Sequence, residues 1–179
     1  MNTPEAFTLT DEAFQTYVRN HNKITLECLK GDSLMPELVI ITRNLEGKDE
    51  MTLCALAVPF NEDHEKRTVL FGLGKKMYDE QKVTLAVILA SEAWMSKRPM
   101  DAKPPFVEPR HDPNRKENII VVGSGLMEHQ RLFICTPIKR GDKNVMIIDG
   151  ESREIPEARF PLLEHFWRGF FHAILPRQA

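Results

Sequence analysis

Residues 82–95 read KVTLAVILASEAWM, and residues 96–116, which follow directly, read SKRPMDAKPPFVEPRHDPNRK. In the first stretch Val83, Leu85, Val87 and Leu89 alternate with Ala86, Ile88 and Ala90. Both faces of an extended segment are then apolar, which is the pattern of a strand in the middle of a sheet. The second stretch is incompatible with regular structure. Its five prolines (Pro99, Pro104, Pro105, Pro109, Pro113) each fix φ, remove a donor and push the preceding residue out of the helical region. Glu117 to Val122 is strand-like again. A loop of this length inside a compact domain is uncommon and often functional, so 96–116 is the first place to look for a site.

Upstream, Thr10 and Asp11 offer a helix cap, and Phe14, Tyr17, Val18, His21 and Cys28 recur at helical spacing until Gly31 supplies a stop. Leu38 to Arg43 and Met51 to Val58 are strand-like and joined by the turn-prone run Asn44 to Asp49, which predicts a hairpin. Glu62, Asp63 and Glu65 crowd the first turn of a second helix whose face is Val69, Leu70, Leu73 and Met77. Downstream, Arg131 to Lys139 and Asn144 to Asp149 are short strands, and Leu162, Leu163, Phe166, Trp167, Phe170, Phe171 and Ile174 build an apolar C-terminal helix. This order predicts one α+β domain over residues 1–179: a largely antiparallel sheet of about six strands with N-terminal, inserted and C-terminal helices.

Composition narrows the function classes. Of 179 residues 42% are hydrophobic and 28% charged, enough for one sizeable core. Twenty-six acidic against 24 basic residues leave a net charge of -2, so the overall field does not attract polyanions or anionic membranes. The start of the chain lacks a basic and apolar leader, and no apolar run approaches the roughly 18 residues of a membrane span, which predicts a cytoplasmic protein. Cys28, Cys54 and Cys135 are widely spaced and odd in number; they read as small buried hydrophobes rather than as a disulfide framework or zinc site.

Most apparent motifs are incomplete. Ile119 to Gly125 resembles the opening of a dinucleotide-binding unit, but Glu128 occupies the third glycine position and the β-branched run after Arg131 leaves no room for the helix. A hairpin turn at Ser124-Gly125 is the expected use. Gly72-Leu73-Gly74-Lys75-Lys76 lacks the upstream glycine and the hydroxyl of a phosphate loop, so close helix packing is the better reading. Arg140-Gly141-Asp142 reads as a tight turn. His165 and His172 are seven apart without a completing ligand. No cofactor and no metal is expected.

One polar constellation remains. Glu92 and Trp94 point to one face near the end of the central strand, and Arg115 and Glu117 do the same at the start of the next. Antiparallel pairing brings these ends together, with His111 and Asp112 arriving from the loop. The functional reading is a small site in which Glu92, Asp112 and Glu117 act as acid/base groups or metal ligands and Arg115 steers an anion, giving a metal-dependent hydrolase or nuclease. The plainer reading is an ion-pair brace that pins the loop, with Trp94 packed under it. The loop also carries six basic residues (Lys97, Arg98, Lys103, Arg110, Arg115, Lys116) against three acidic ones, and Phe106 can stack on a base, so weak nucleic-acid binding is a further alternative.

Ser91-Glu92-Ala93-Trp94 followed by Asp112-Pro113-Asn114-Arg115-Lys116-Glu117 resembles a pattern in uncharacterised bacterial and phage proteins. The resemblance covers residues 91–117 and implies only that strand, loop and strand belong together. With no complete catalytic signature, the leading expectation is a non-enzymatic accessory protein that binds a protein partner through the loop (Trp94, Lys97, Arg98, Phe106, Arg110, His111, Arg115). It is expected to self-associate through the C-terminal helix, where Phe166, Trp167, Phe170 and Phe171 form either core or interface.

Overall fold

A computed structural model describes residues 8–29, 31, 33–44, 46–56, 63–80, 83–95 and 111–172. Helix α1 (Asp11–Glu27) starts where Thr10 caps it, the hydroxyl accepting the Ala13 N–H at 3.2 Å. The hairpin β1 (Glu37–Arg43) and β2 (Asp49–Ala55) follows, then α2 (Asp63–Asp79) and the long β3 (Val83–Met95). β4 (Lys116–Gly125), β5 (Arg131–Arg140), β6 (Met146–Ile148), β7 (Arg153–Pro156) and α3 (Pro161–His172) complete the order. All pairings are antiparallel, in the order β2-β1-β3-β4-β5-β6, and β7 joins β5 beside β6. The fold is a single α+β domain with a curled sheet.

Three layers result. On one side of the sheet Phe14 and Val18 of α1 cover Val39, Ile41, Ile88, Val121 and Ile134. On the other, Leu70 and Met77 of α2 with Leu163, Phe166 and Phe170 of α3 cover Leu38, Ile40, Val87, Leu89, Ile120 and Val122. Burial on both faces is why β3 is buried without interruption from Thr84 to Ala90 and shows no polar alternation.

The helices approach closely at glycines. A Cβ on Gly74 would overlap the backbone carbonyl of Phe166, and one on Gly169 would overlap that of Phe71, so α2 and α3 cross backbone against backbone. Gly72 meets nothing, and only Gly74 has the packing role expected of the pair. Gly123 likewise leaves room for Val18 and Phe14 of α1. The turn expected at Ser124-Gly125 lies further on: β4 continues through Gly125 and the chain reverses at Leu126 to Gln130.

One further reading changes, and one strand was not foreseen. Cys28 caps the end of α1 and is exposed, whereas Cys135 is buried and Cys54 half-buried. Strand β7 has no apolar signature because it is a four-residue edge segment held by backbone pairing to Leu132–Cys135, where its terminal Pro156 is tolerated.

Candidate functional site

The expected pairing of β3 with β4 sets Trp94 opposite Glu117 and Glu92 opposite Ile119. Glu92 and Glu117 therefore converge, past the end of α1. A third residue joins them. Arg140, at the end of β5, donates from Nε to Glu117 Oε2 at 2.9 Å and from Nη2 to Glu117 Oε1, a bidentate pair, while Nη2 also reaches Glu92 Oε2 at 2.8 Å. The remaining oxygen of Glu92 accepts the backbone N–H of Leu34. These side chains are between one-tenth and one-quarter exposed. Glu117 beside it, helped by Glu92, holds the Arg140 guanidinium protonated well above its ordinary range.

The other members of the constellation are placed differently. The Arg115 guanidinium lies over the Trp94 ring, 4.6 Å from its centroid, in a cation–π contact on the exposed side. Asp112 closes its own turn: its carboxylate accepts the Asn114 N–H at 2.8 Å and its carbonyl accepts the Arg115 N–H at 3.1 Å. His111 is exposed. Lys97, Arg98, Phe106 and Arg110 lie outside the described residues. Among the described residues no three His, Cys, Asp or Glu side chains gather closely enough to hold a metal ion. Each of the four carboxylate oxygens of Glu92 and Glu117 accepts a hydrogen bond, three from Arg140 and one from the Leu34 N–H.

Arg140 was hidden in the sequence by its neighbours. Arg140-Gly141-Asp142 does make a turn, with Gly141 leading into a 3-10 segment at Asp142–Asn144. The arginine belongs to the strand before it, two strands away from Glu92. Only the pairing of β4 with β5, Asn118 opposite Pro137, brings it to the carboxylates.

A second feature lies at the opposite end of β4. Between the β4–β5 turn, the middle of α2 and the second half of α3 is an open cleft of about 550 Å³, walled by Phe71, Leu126, Met127, Trp167 and Phe171. Trp167 is held by its indole N–H donating to Ser124 Oγ at 2.9 Å and by stacking on Phe171, with centroids 6.0 Å apart and planes at 27°. Phe171 is 41% exposed, whereas Phe166 and Phe170 are buried in the core. Of the four aromatic residues expected to self-associate, only Trp167 and Phe171 thus reach the surface. His172 closes one end, edge-on to Phe71 at 5.6 Å. Arg131 and Arg168 stand at the rim beside Glu128 and Glu164. Nearby, desolvation together with Arg168 and Arg67 lowers the pKa of His165. The aromatic stripe of α3 was the sequence signal for a pocket, but its walls from Leu126 and Met127 depend on where β4 ends.

Among the described residues no helix is long and apolar enough to cross a membrane. No family model, curated protein or solved structure matches this chain.

Proposed function

We propose that this chain is a non-enzymatic accessory protein, acting as a homo-oligomer, that takes an apolar side chain of a protein partner into the cleft beside α3. The observation that carries the reading is a contrast. The candidate carboxylates Glu92 and Glu117 are paired with Arg140 and the Leu34 N–H, while a cleft with mostly aromatic and aliphatic walls stays open. A concave apolar site with a few fixed polar groups is the usual form of a binding site, and rigid, anchored aromatics such as Trp167 are the side chains that carry recognition energy. Three free cysteines suit a reducing, cytoplasmic setting. A hydrolase would require Glu117 to leave Arg140. A nucleic-acid role would rest on Lys97, Arg98, Phe106 and Arg110 instead.

A random peptide library displayed on phage and selected against the folded protein tests this reading. Enriched peptides should share one aromatic or branched aliphatic anchor and lose about tenfold in affinity, some 1.4 kcal/mol, on Phe171→Glu. Peptides that bind wild type and variant alike would contradict the cleft. Mg²⁺-dependent cleavage of a model phosphodiester, abolished by Glu117→Gln, would contradict the non-enzymatic reading.

A further inference from the structure

The two edges of the sheet differ. One is split between the three-residue β6 and the four-residue β7, the short broken form that discourages further pairing. The other is β2, seven residues long, whose outer side has no partner strand among the described residues. It also bears apolar side chains in the open: Met51 is 66% and Leu53 62% exposed. They stand opposite Ile41 and Val39 on the α1 side of the sheet, beyond the part that α1 covers.

The hydrogen-bond phase of this edge follows from the hairpin. Leu56 N–H bonds to Pro36 O at 2.8 Å and Asn44 N–H to Lys48 O at 2.9 Å, one at each end of a ladder with constant register. In an antiparallel ladder hydrogen-bonded pairs alternate with non-bonded ones, so Glu50, Thr52 and Cys54 spend their backbone groups on β1. Asp49, Met51, Leu53 and Ala55 then turn their N–H and C=O groups outward.

We infer that β2 pairs with β2 of a second copy, antiparallel across a two-fold axis at Thr52, to give one continuous sheet. The strand is complementary to itself in this register. Asp49 meets Ala55 and Met51 meets Leu53 as hydrogen-bonded pairs, each using groups that face outward, and Thr52 meets Thr52 as a non-bonded pair. The apolar Met51 and Leu53 of both copies form a single row on one face. Charge does not oppose it: Asp49 is held by Arg43 at 2.7 Å, Glu50 by the Asn44 amide at 2.9 Å, and Glu50 would face Cys54 rather than another acid. The outward groups and the exposed pair thus share one partner, this chain itself. One strand is a small interface, so the dimer should dissociate on dilution. The inference supplies an interface for the homo-oligomer of the preceding reading and rests on it for nothing else; cleft binding stands or falls separately.

Sedimentation equilibrium on the full chain, together with oxidative cross-linking, tests it. The mass should rise with concentration toward two chains, and Met51→Lys with Leu53→Lys, exposed positions where lysine would face lysine, should weaken association at least tenfold while circular dichroism is unchanged. Thr52→Cys in a Cys28→Ser, Cys54→Ser background should form an intermolecular disulfide, because non-bonded pairs place Cα atoms about 4.5 Å apart, within disulfide reach. A single-chain mass at all concentrations would overturn the inference. So would a dimer that survives the double lysine variant and fails to cross-link at position 52.

Discussion

Arg140 is the residue on which one end of the sheet depends. It joins β5 to carboxylates on β3 and β4, and it does so with a planar fork that satisfies both oxygens of Glu117 at once. Arg140→Met would leave Glu92 and Glu117 facing each other with like charge. Removing one partner of a fully buried ion pair costs 3–5 kcal/mol, and this cluster is partly wet, so a loss of about 2 kcal/mol is expected from urea denaturation at pH 7. Arg140→Lys should recover less than half of that, because an ammonium cannot make the bidentate contact. A full recovery by lysine, or no loss with methionine, would show that the cluster braces nothing. Glu92 and Glu117 themselves were legible in the sequence, since two-residue spacing at facing strand ends fixes where they go. Their cation was not, because nothing local to Arg140 indicates that β5 lies beside β4.

At the scale of elements, the crossing of α2 and α3 turns on two positions. Gly74→Ala or Gly169→Ala places a methyl group on the backbone of the other helix, where no side chain rotation relieves it, and each should cost about 1–3 kcal/mol as the helices part. Gly72→Ala, one turn-fraction away on the same helix and against open space, should instead stabilise by about 0.5–1 kcal/mol through helix propensity. Thermal melting of the three variants separates the effects by sign, and a destabilising Gly72→Ala would contradict the packing described. Both glycines of α2 look alike in the sequence. Periodicity revealed that a helix runs through them and that β3 is central, because those patterns follow from the chain's own geometry. Which glycine touches a neighbour, and that β4 extends through Gly125 instead of turning at Ser124, depends on α1 and α3 packing across the sheet. β7 was invisible for a related reason: a strand held only by backbone pairing at an edge needs no apolar alternation.

At the scale of the whole molecule, the two ends of the sheet differ in chemistry. At the end where β3 and β4 meet the long loop, charges are paired off around Arg140 and the exposed Arg115 rests on Trp94. At the far end of β4, aromatic side chains line an open cleft. The proposed non-enzymatic reading rests on the pairing of these carboxylates with Arg140. Calorimetric titration of the full chain with Mn²⁺, run beside Glu117→Gln, shows whether these paired carboxylates take a metal ion. Both proteins should give the same featureless heats of dilution if the non-enzymatic reading holds. Saturable one-site binding in the wild type that disappears in Glu117→Gln would contradict it and return the carboxylates to chemistry.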